Sequence, residues 1–259
     1  MNIAAKPVVL KVGGGALAGG ALEDLPYLLS AGHRVTVVHG GGVQLTRMLD
    51  ALGIPTRFHA GLRVTDEATL EVAEVVLAGG VNKNLSRGLN ALGVPAAGIS
   101  GTDGPTLVVE AVPDLGRVGK VVRVETHLIE ALWDGGFVPV VAPLGLGPEG
   151  AYNVNADSAA AALAVGIGAG YLFLMSDVNG LLEEGETVET ISPEKCEDYV
   201  DRGLAAGGMV PKLRAAAEAA RGGVESRILN GNRKGTLAAA VAGERVGTLI
   251  SEGVAACRQ

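Results

Sequence analysis

Apolar runs alternate along the chain with stretches of helical periodicity, an order typical of an α/β fold with a mostly parallel central sheet. Several runs are rich in β-branched residues and lack internal alternation, as expected for strands covered on both faces. The predicted strands span residues 8–12, 35–39, 96–99, 137–141, 171–175, 225–229 and 248–250. The predicted helices span residues 22–31, 43–52, 67–92, 126–134, 155–165, 193–202 and 210–221.

The longest predicted helix, residues 67–92, carries apolar residues at steps of three or four throughout, and Asp66 is its expected N-cap. Val72, Val75 and Val76 add apolar surface outside that stripe, which predicts a second buried face. Either a neighbouring helix of the same chain or a second copy of the chain would cover this face.

Three regions interrupt the alternation of strands and helices. Residues 56–65 and 106–124 are predicted to form hairpins at the edge of the sheet, and residues 182–190 an acidic surface loop. A boundary between two lobes is expected near residues 166–170.

Composition and charge narrow the possible functions. The 259 residues include 40 glycines without a three-residue period, which excludes collagen, and 48% apolar residues, which excludes disorder. The net charge of −7 argues against a nucleic-acid or anionic-membrane partner. Cys196 and Cys257 lie far apart, and the four histidines lack ligand spacing. We therefore expect a cytoplasmic chain without disulfides, targeting segment or protein metal ligands.

Two glycine triplets, Gly13–Gly15 and Gly40–Gly42, directly follow predicted strands. A dinucleotide-binding fold would place an acidic residue at the end of the second strand, where this chain has His39, and no Walker A string is present. Glycines at the ends of neighbouring parallel strands instead let backbone N–H groups converge on an anion. With Lys11 just before the first triplet, a polyanion cradle explains the pattern better than two tight turns.

Four polar residues have both a structural and a functional explanation. Arg63 is a surface charge, a partner of Asp66, or a bidentate clamp on a substrate carboxylate. Asn155 or Asp157 could simply cap the helix that follows. Lys212, taken alone, would be a solvated charge near the start of its helix.

Six strings occur in a fixed order between residues 8 and 250. They are Lys11-x-Gly13-Gly14, His39-Gly40-Gly41-Gly42, Gly61-Leu62-Arg63-Val64-Thr65-Asp66, Asn153-x-Asn155-Ala156-Asp157, Ser176-Asp177-Val178-x-Gly180 and Gly208-Met209-x-x-Lys212. Each is weakly diagnostic alone, whereas the ordered set is highly specific. In these strings the chain resembles the amino-acid kinase family, and most closely its branch that phosphorylates N-acetylglutamate.

The resemblance implies an αβα sandwich of two lobes, residues 1–168 for acyl amino acid binding and dimerisation and residues 169–259 for ATP. It implies transfer of a phosphoryl group from ATP, with Mg²⁺, to the γ-carboxylate of N-acetyl-L-glutamate in the second step of arginine biosynthesis. The implied catalytic residues are Lys11, Lys212 and Asp157. The implied acyl amino acid ligands are Gly41, Gly42, Arg63 and Asn153. The implied nucleotide-binding residues are Gly13, Gly14, Ser176, Asp177, Val178, Asn179, Gly180, Leu181, Leu182 and Met209.

Two other functions fit part of the pattern. A kinase for aminoadipate or glutamate attached to a carrier protein, in lysine biosynthesis, would vary the third glycine of the second triplet and the Gly-Leu-Arg string, and both are kept here. A non-catalytic metabolite sensor would lose a lysine or the aspartate of the site.

Only seven residues precede the first predicted strand, too few for the N-terminal helix that resembles a hexamer-forming arginine sensor in some relatives. We therefore expect a homodimer.

Overall fold

A computed structural model describes residues 5–13 and 19–252 of the chain. The strands are β1 Val8–Val12, β2 Val35–His39, β3 Phe58–His59, β4 Leu62–Arg63, β5 Ala96–Ser100, β6 Leu107–Ala111, β7 Val118–Val124, β8 Val138–Ala142, β9 Leu144–Gly147, β10 Gly150–Val154, β11 Tyr171–Ser176, β12 Leu182–Glu183, β13 Glu186–Thr187, β14 Thr190–Ile191, β15 Glu225–Asn230 and β16 Thr248–Ile250.

The α-helices are α1 Leu25–Ser30, α2 Gly42–Ala51, α3 Glu67–Ala73, α4 Asn82–Ala91, α5 His127–Asp134, α6 Ala156–Gly166, α7 Cys196–Asp201, α8 Met209–Arg221 and α9 Thr236–Val241. A π-helical segment, Glu74–Val81, joins α3 to α4, and short 3₁₀ turns, Gly20–Asp24 and Pro193–Lys195, precede α1 and α7. No helix in the described ranges combines the length and apolarity needed to cross a bilayer.

The central sheet has eight strands in the order β14-β16-β15-β11-β1-β2-β8-β5, and all seven predicted strands belong to it. Its strand pairs are parallel except β15 with β16. Alternate residues of each strand enter one of two apolar cores, because side chains point to opposite faces. Helices α6 and α8 line one core, while α1, α4 and α9 line the other. The predicted αβα sandwich is confirmed.

A second, smaller sheet closes into a four-stranded barrel of β10, β7, β6 and β9. The predicted hairpin at 106–124 is present as β6 and β7, but its predicted place at the edge of the central sheet is wrong. Strands β9 and β10 were not predicted from the sequence, because Gly145 and Gly147 have low strand propensity. The barrel needs small residues there, since a β-carbon on Gly145 would collide with Val109, and one on Gly147 with Tyr152.

The predicted helix 67–92 begins as expected, because the Asp66 carboxylate accepts a hydrogen bond from the Thr69 N–H at 2.8 Å. Its central segment is a π-helix, which the apolar steps of three or four did not predict. Val76 is buried in an apolar cluster with α2, so part of the second apolar face is covered within the chain, whereas Val75 is 69% exposed.

The two other predicted irregular regions contain short antiparallel hairpins. Residues 56–65 form the predicted hairpin as β3 and β4, but the two strands make a separate two-stranded sheet, so the predicted place at the edge of the central sheet is wrong here too. The predicted acidic loop at 182–190 is not wholly irregular, because β12 and β13 pair within it.

Candidate active site

A polar cavity where β1 and β2 end is lined by all four predicted acyl amino acid ligands and by two of the three predicted catalytic residues. These neighbouring parallel strands bring Gly13 beside Gly40–Gly42, as the sequence predicted. The cavity has a volume of about 240 Å³, and Lys11, Arg63 and Asp157 line it. The carboxyl end of a parallel sheet is the usual place for such a site.

Asp157 lies between two lysines from distant parts of the chain. Its Oδ1 is 2.9 Å from Lys11 Nζ on β1, and its Oδ2 is 3.7 Å from Lys212 Nζ on α8. Asn155, rather than Asp157, caps α6, because its Oδ1 accepts hydrogen bonds from the N–H groups of Asp157 and Ser158. The Asp157 carboxylate is therefore free to interact with both lysines.

The three charged side chains of this triad are largely removed from water. Those of Lys11 and Asp157 are 7% and 6% exposed, and that of Lys212 is 15% exposed. Burial lowers the pKa of Lys212, and Asp157 partly offsets this by favouring the ammonium form. Two ammonium groups and one carboxylate leave an excess positive charge at the cavity, which suits an anionic ligand.

Arg63 holds a second positive charge at the same cavity. Its Nη2 donates to Thr46 Oγ1 at 2.7 Å and to the Gly42 carbonyl at 3.2 Å, while Nη1 donates to Thr56 Oγ1 at 3.2 Å. Within the ranges that the structure describes, no carboxylate forms an ion pair with this buried guanidinium, whose pKa burial lowers. A ligand carboxylate would supply the missing charge partner.

The remaining predicted acyl amino acid ligands lie around the same cavity. Asn153, on β10, donates from Nδ2 to Thr65 Oγ1 at 3.1 Å. Gly41 is the N-cap of α2 and Gly42 its first residue, and a β-carbon on Gly42 would meet no atom within 4 Å. The small barrel thus contributes Asn153 to the wall of this cavity.

The predicted nucleotide-binding segment follows β11, which pairs with β1 on the side opposite β2. Ser176 and Asp177 are at the end of β11, and their side chains hydrogen-bond to each other at 3.3 Å. Strand β1 therefore has the glycine triplet of β2 on one side and the nucleotide segment on the other. Lys11 lies between them.

The residues of the predicted nucleotide-binding segment do not all line the same cavity. Asn179 lines a second cavity of about 530 Å³, whereas the Leu181 side chain is buried in the apolar core. The Leu181 N–H donates to Thr248 Oγ1 at 2.9 Å, and Leu182 is exposed. The Leu181 side chain could contact a nucleotide only by leaving the apolar core. Only the backbone of Leu181 therefore remains a candidate for nucleotide binding.

The other predicted nucleotide-binding residues are placed as follows. Gly13 lines the first cavity, Met209 begins α8 one turn before Lys212, and Gly14 lies outside the described residues. Val178 is partly buried and Gly180 is buried.

The second cavity is also lined by two basic residues that are not among the predicted site residues. Arg233 and Lys234 line it, in the loop between β15 and α9, and Asn230 donates to Asn179 Oδ1 at 2.9 Å. This loop could have been predicted from the sequence, because a further glycine-containing turn follows a strand there, with the string Asn230-Gly231-Asn232-Arg233-Lys234-Gly235.

Comparison with known proteins decides the family. Residues 6–230 match the amino acid kinase family. The chain belongs to that family. The acetylglutamate kinase of Rubrobacter xylanophilus is 70% identical to this amino acid kinase over 95% of the chain and 98% of the relative.

Solved structures agree with the fold. A Streptococcus mutans UA159 crystal structure, smu.665, superposes with a TM-score of 0.84 at 29% identity, over 95% of this amino acid kinase and 99% of that chain. Carbamate kinase from Giardia lamblia superposes with a TM-score of 0.67 at 18% identity over 98% and 100% of the two chains, which is a likeness of fold alone.

Proposed function

We propose that this chain transfers the γ-phosphoryl group of Mg²⁺–ATP to the γ-carboxylate of N-acetyl-L-glutamate, giving N-acetyl-L-glutamyl 5-phosphate and ADP. This is the second step of arginine biosynthesis. The observation that carries the proposal is the buried Asp157 between Lys11 and Lys212 at the end of the central sheet. The 70% identity to an acetylglutamate kinase supports the choice of acceptor.

The reaction needs positioning and positive charge rather than a general base. A carboxylate oxygen attacks the γ-phosphorus, an O–P bond forms, and the bond to the bridging oxygen breaks with its electron pair leaving on ADP. The acceptor is already deprotonated at neutral pH, so no proton has to move. Lys11 and Lys212 would compensate the charge that shifts onto the phosphoryl and leaving oxygens.

The first cavity would bind the acyl amino acid. Arg63, buried and without a carboxylate partner in the described part of the chain, would pair with the α-carboxylate. The amide of Asn153 would hydrogen-bond the acyl amino acid, and the N–H groups of Gly41 and Gly42 would face the γ-carboxylate and the incoming phosphoryl group. Residues 1–168 would form this lobe.

Residues 169–259 would form the ATP lobe. Arg233 gives the second cavity a cation for a polyphosphate, Lys234 beside it is paired with Glu23 at 2.9 Å, and Asn179 with Asn230 gives the cavity amides. Among the described residues, no group of three or more His, Cys, Asp or Glu side chains could hold a metal ion. The Asp157 carboxylate already forms ion pairs with Lys11 and Lys212. Mg²⁺ would therefore arrive bound to the phosphates of ATP, as part of the substrate.

We further propose that the chain works as a homodimer. The exposed Val75 on the π-helical segment is the apolar surface that a second copy would cover, in line with the family resemblance. Cytoplasmic location stays a prediction from the cysteine content.

The deciding experiment is transfer of phosphate from ATP to free N-acetyl-L-glutamate, with the acyl phosphate trapped by hydroxylamine. We expect hydroxamate with N-acetyl-L-glutamate and little with L-glutamate. Lys11→Ala should abolish the product, while Lys120→Ala, an exposed lysine on β7, should not. Ligand-induced stabilisation without product would instead support a metabolite sensor. Activity only on a carrier-bound substrate would support the kinase of lysine biosynthesis.

A further inference from the structure

His39 ends β2 directly before the glycine triplet, yet the proposed reaction gives it no role. Its side chain is completely buried and does not line the cavity. It lies between two groups: Nδ1 is 2.6 Å from the Gly40 carbonyl oxygen, and Nε2 is 3.1 Å from Nδ2 of Asn82, the first residue of α4.

Two backbone carbonyls determine how the hydrogens are arranged. The Asn82 Nδ2 atom also lies 3.0 Å from the Ile99 carbonyl oxygen and 2.8 Å from the Val140 carbonyl oxygen. Carbonyl oxygens only accept hydrogen bonds, so the Asn82 atom between them is its amide nitrogen. The two hydrogens of that NH2 group point to the two carbonyls, and an amide nitrogen accepts no hydrogen bond, so a proton on His39 Nε2 would have no acceptor there. His39 Nδ1 instead faces the Gly40 carbonyl oxygen, which can only accept. The proton of the neutral imidazole is therefore on Nδ1.

This tautomer fixes the direction of the Gly40–Gly41 peptide. His39 Nδ1–H donates to the Gly40 carbonyl oxygen. The described peptide bonds are all trans, so the Gly41 N–H points away from His39, on the opposite side from that carbonyl. Gly41 lines the cavity, and within the described residues its N–H has no acceptor in the protein. It is free to bind a ligand oxygen.

We propose that His39 is a positioning residue, which through its Nδ1–H holds the Gly40 carbonyl and so aims the Gly41 N–H at the reacting oxygens. The proposal rests on the proposed kinase reaction for its kinetic consequence. Asn82 keeps the imidazole in the required tautomer while linking β2, β5 and β8. Burial lowers the pKa of His39 to about 4, in agreement with a neutral ring.

Two substitutions separate positioning from packing. His39→Asn places an amide N–H near the Nδ1 position, whereas His39→Gln fills more of the space but reaches the Nε2 position. We expect His39→Asn to keep kcat within about tenfold of the wild type, and His39→Gln to lose about a hundredfold in kcat with little change in the KM for ATP. A packing role predicts the reverse order, which would overturn the proposal. Thr36→Val, another buried position on β2, is the matched control and should leave kcat unchanged.

A spectroscopic measurement on the wild-type protein tests the same proposal without substrates. Imidazole ¹⁵N NMR at neutral pH should show His39 with its proton on Nδ1, the signal being assigned in the wild-type protein by through-bond correlation of the ring to the sequentially assigned His39 backbone. A proton on Nε2 would overturn the proposal, even if a variant failed to fold. Absence of phosphate transfer by the wild type would count against the proposed function, and the NMR spectrum would still decide the tautomer.

Discussion

The Cδ2 atom of Leu77 lies 2.5 Å from the position that a β-carbon on Gly41 would occupy. Leu77 belongs to the π-helical segment between α3 and α4, so this segment packs directly against the glycine triplet at the cavity. π-Helical segments, in which one turn of a helix is widened, are frequent at functional sites, where they reposition side chains. A β-carbon at position 41 would therefore require the Leu77 side chain to shift.

Gly41→Ala should therefore disrupt the cavity, because the new methyl group collides with Leu77. We expect kcat/KM for N-acetyl-L-glutamate to fall by about a hundredfold. Gly42→Ala is the control for the fold, since its methyl group would meet no atom within 4 Å.

A double-mutant cycle with Leu77→Ala identifies the contact. Gly41→Ala combined with Leu77→Ala should recover part of the activity that Gly41→Ala loses, because the two sites share that contact. Equal activity of Gly41→Ala and wild type would show that the segment yields easily at this point.

Lys11→Ala and Lys212→Ala should each lower kcat by about 10²–10³ and change both KM values much less, because their charges matter most when charge migrates. Lys11 is the more deeply buried of the two, so its loss should cost more stability by leaving the Asp157 carboxylate with only the 3.7 Å contact to Lys212. Urea unfolding and steady-state kinetics measure the two effects. Near-normal kcat in either variant would remove that lysine from the proposed mechanism.

Arg63→Lys should raise the KM for N-acetyl-L-glutamate at least about tenfold and leave the KM for ATP unchanged, because an ammonium group cannot reproduce the planar fork of a guanidinium. Thr46→Val, which removes the 2.7 Å contact to Arg63 Nη2, should have a smaller effect of the same kind. A raised KM for ATP with an unchanged KM for the acyl amino acid would place Arg63 in the nucleotide site.

His39 should make the protein less stable in acid. Burial lowers its pKa from 6.5 to about 4, so between these values the unfolded chain binds more protons than the folded one, and stability falls as the pH falls. The contribution lost across this window is about 3 kcal/mol. Urea unfolding at pH 7 and pH 4.5 should show a smaller pH dependence in His39→Asn than in wild type. Identical pH dependence would assign the acid sensitivity to other groups.

Light scattering at micromolar concentration tests the proposed assembly, and we expect twice the chain mass of 26.1 kDa. Val75→Glu should give the single-chain mass with a folded spectrum, because it adds charge to an exposed position. Val76→Glu should instead unfold the protein, since Val76 is buried against α2. A wild-type mass of 26.1 kDa would reject the homodimer.

Sequence patterns were sufficient for seven of the eight strands of the central sheet, all but the two-residue β14, and for the order of the site segments. Strands β1 and β2 are rich in β-branched residues, and Asp66 caps its helix from the adjacent residue, so the physical causes are local. Because parallel neighbours end at the same edge, the proximity of the two glycine loops also followed from the sequence.

Tertiary structure decided what local patterns could not. The small barrel depends on glycines that weaken the strand signal, and Leu181 lies in a predicted nucleotide segment but packs into the core. The contact of Lys212 with Asp157 and the tautomer of His39 depend on α8 and α4 packing against the sheet, because their partners are remote in sequence. The sequence by itself determined which chemical groups the site has, and long-range packing decided their distances, protonation and direction.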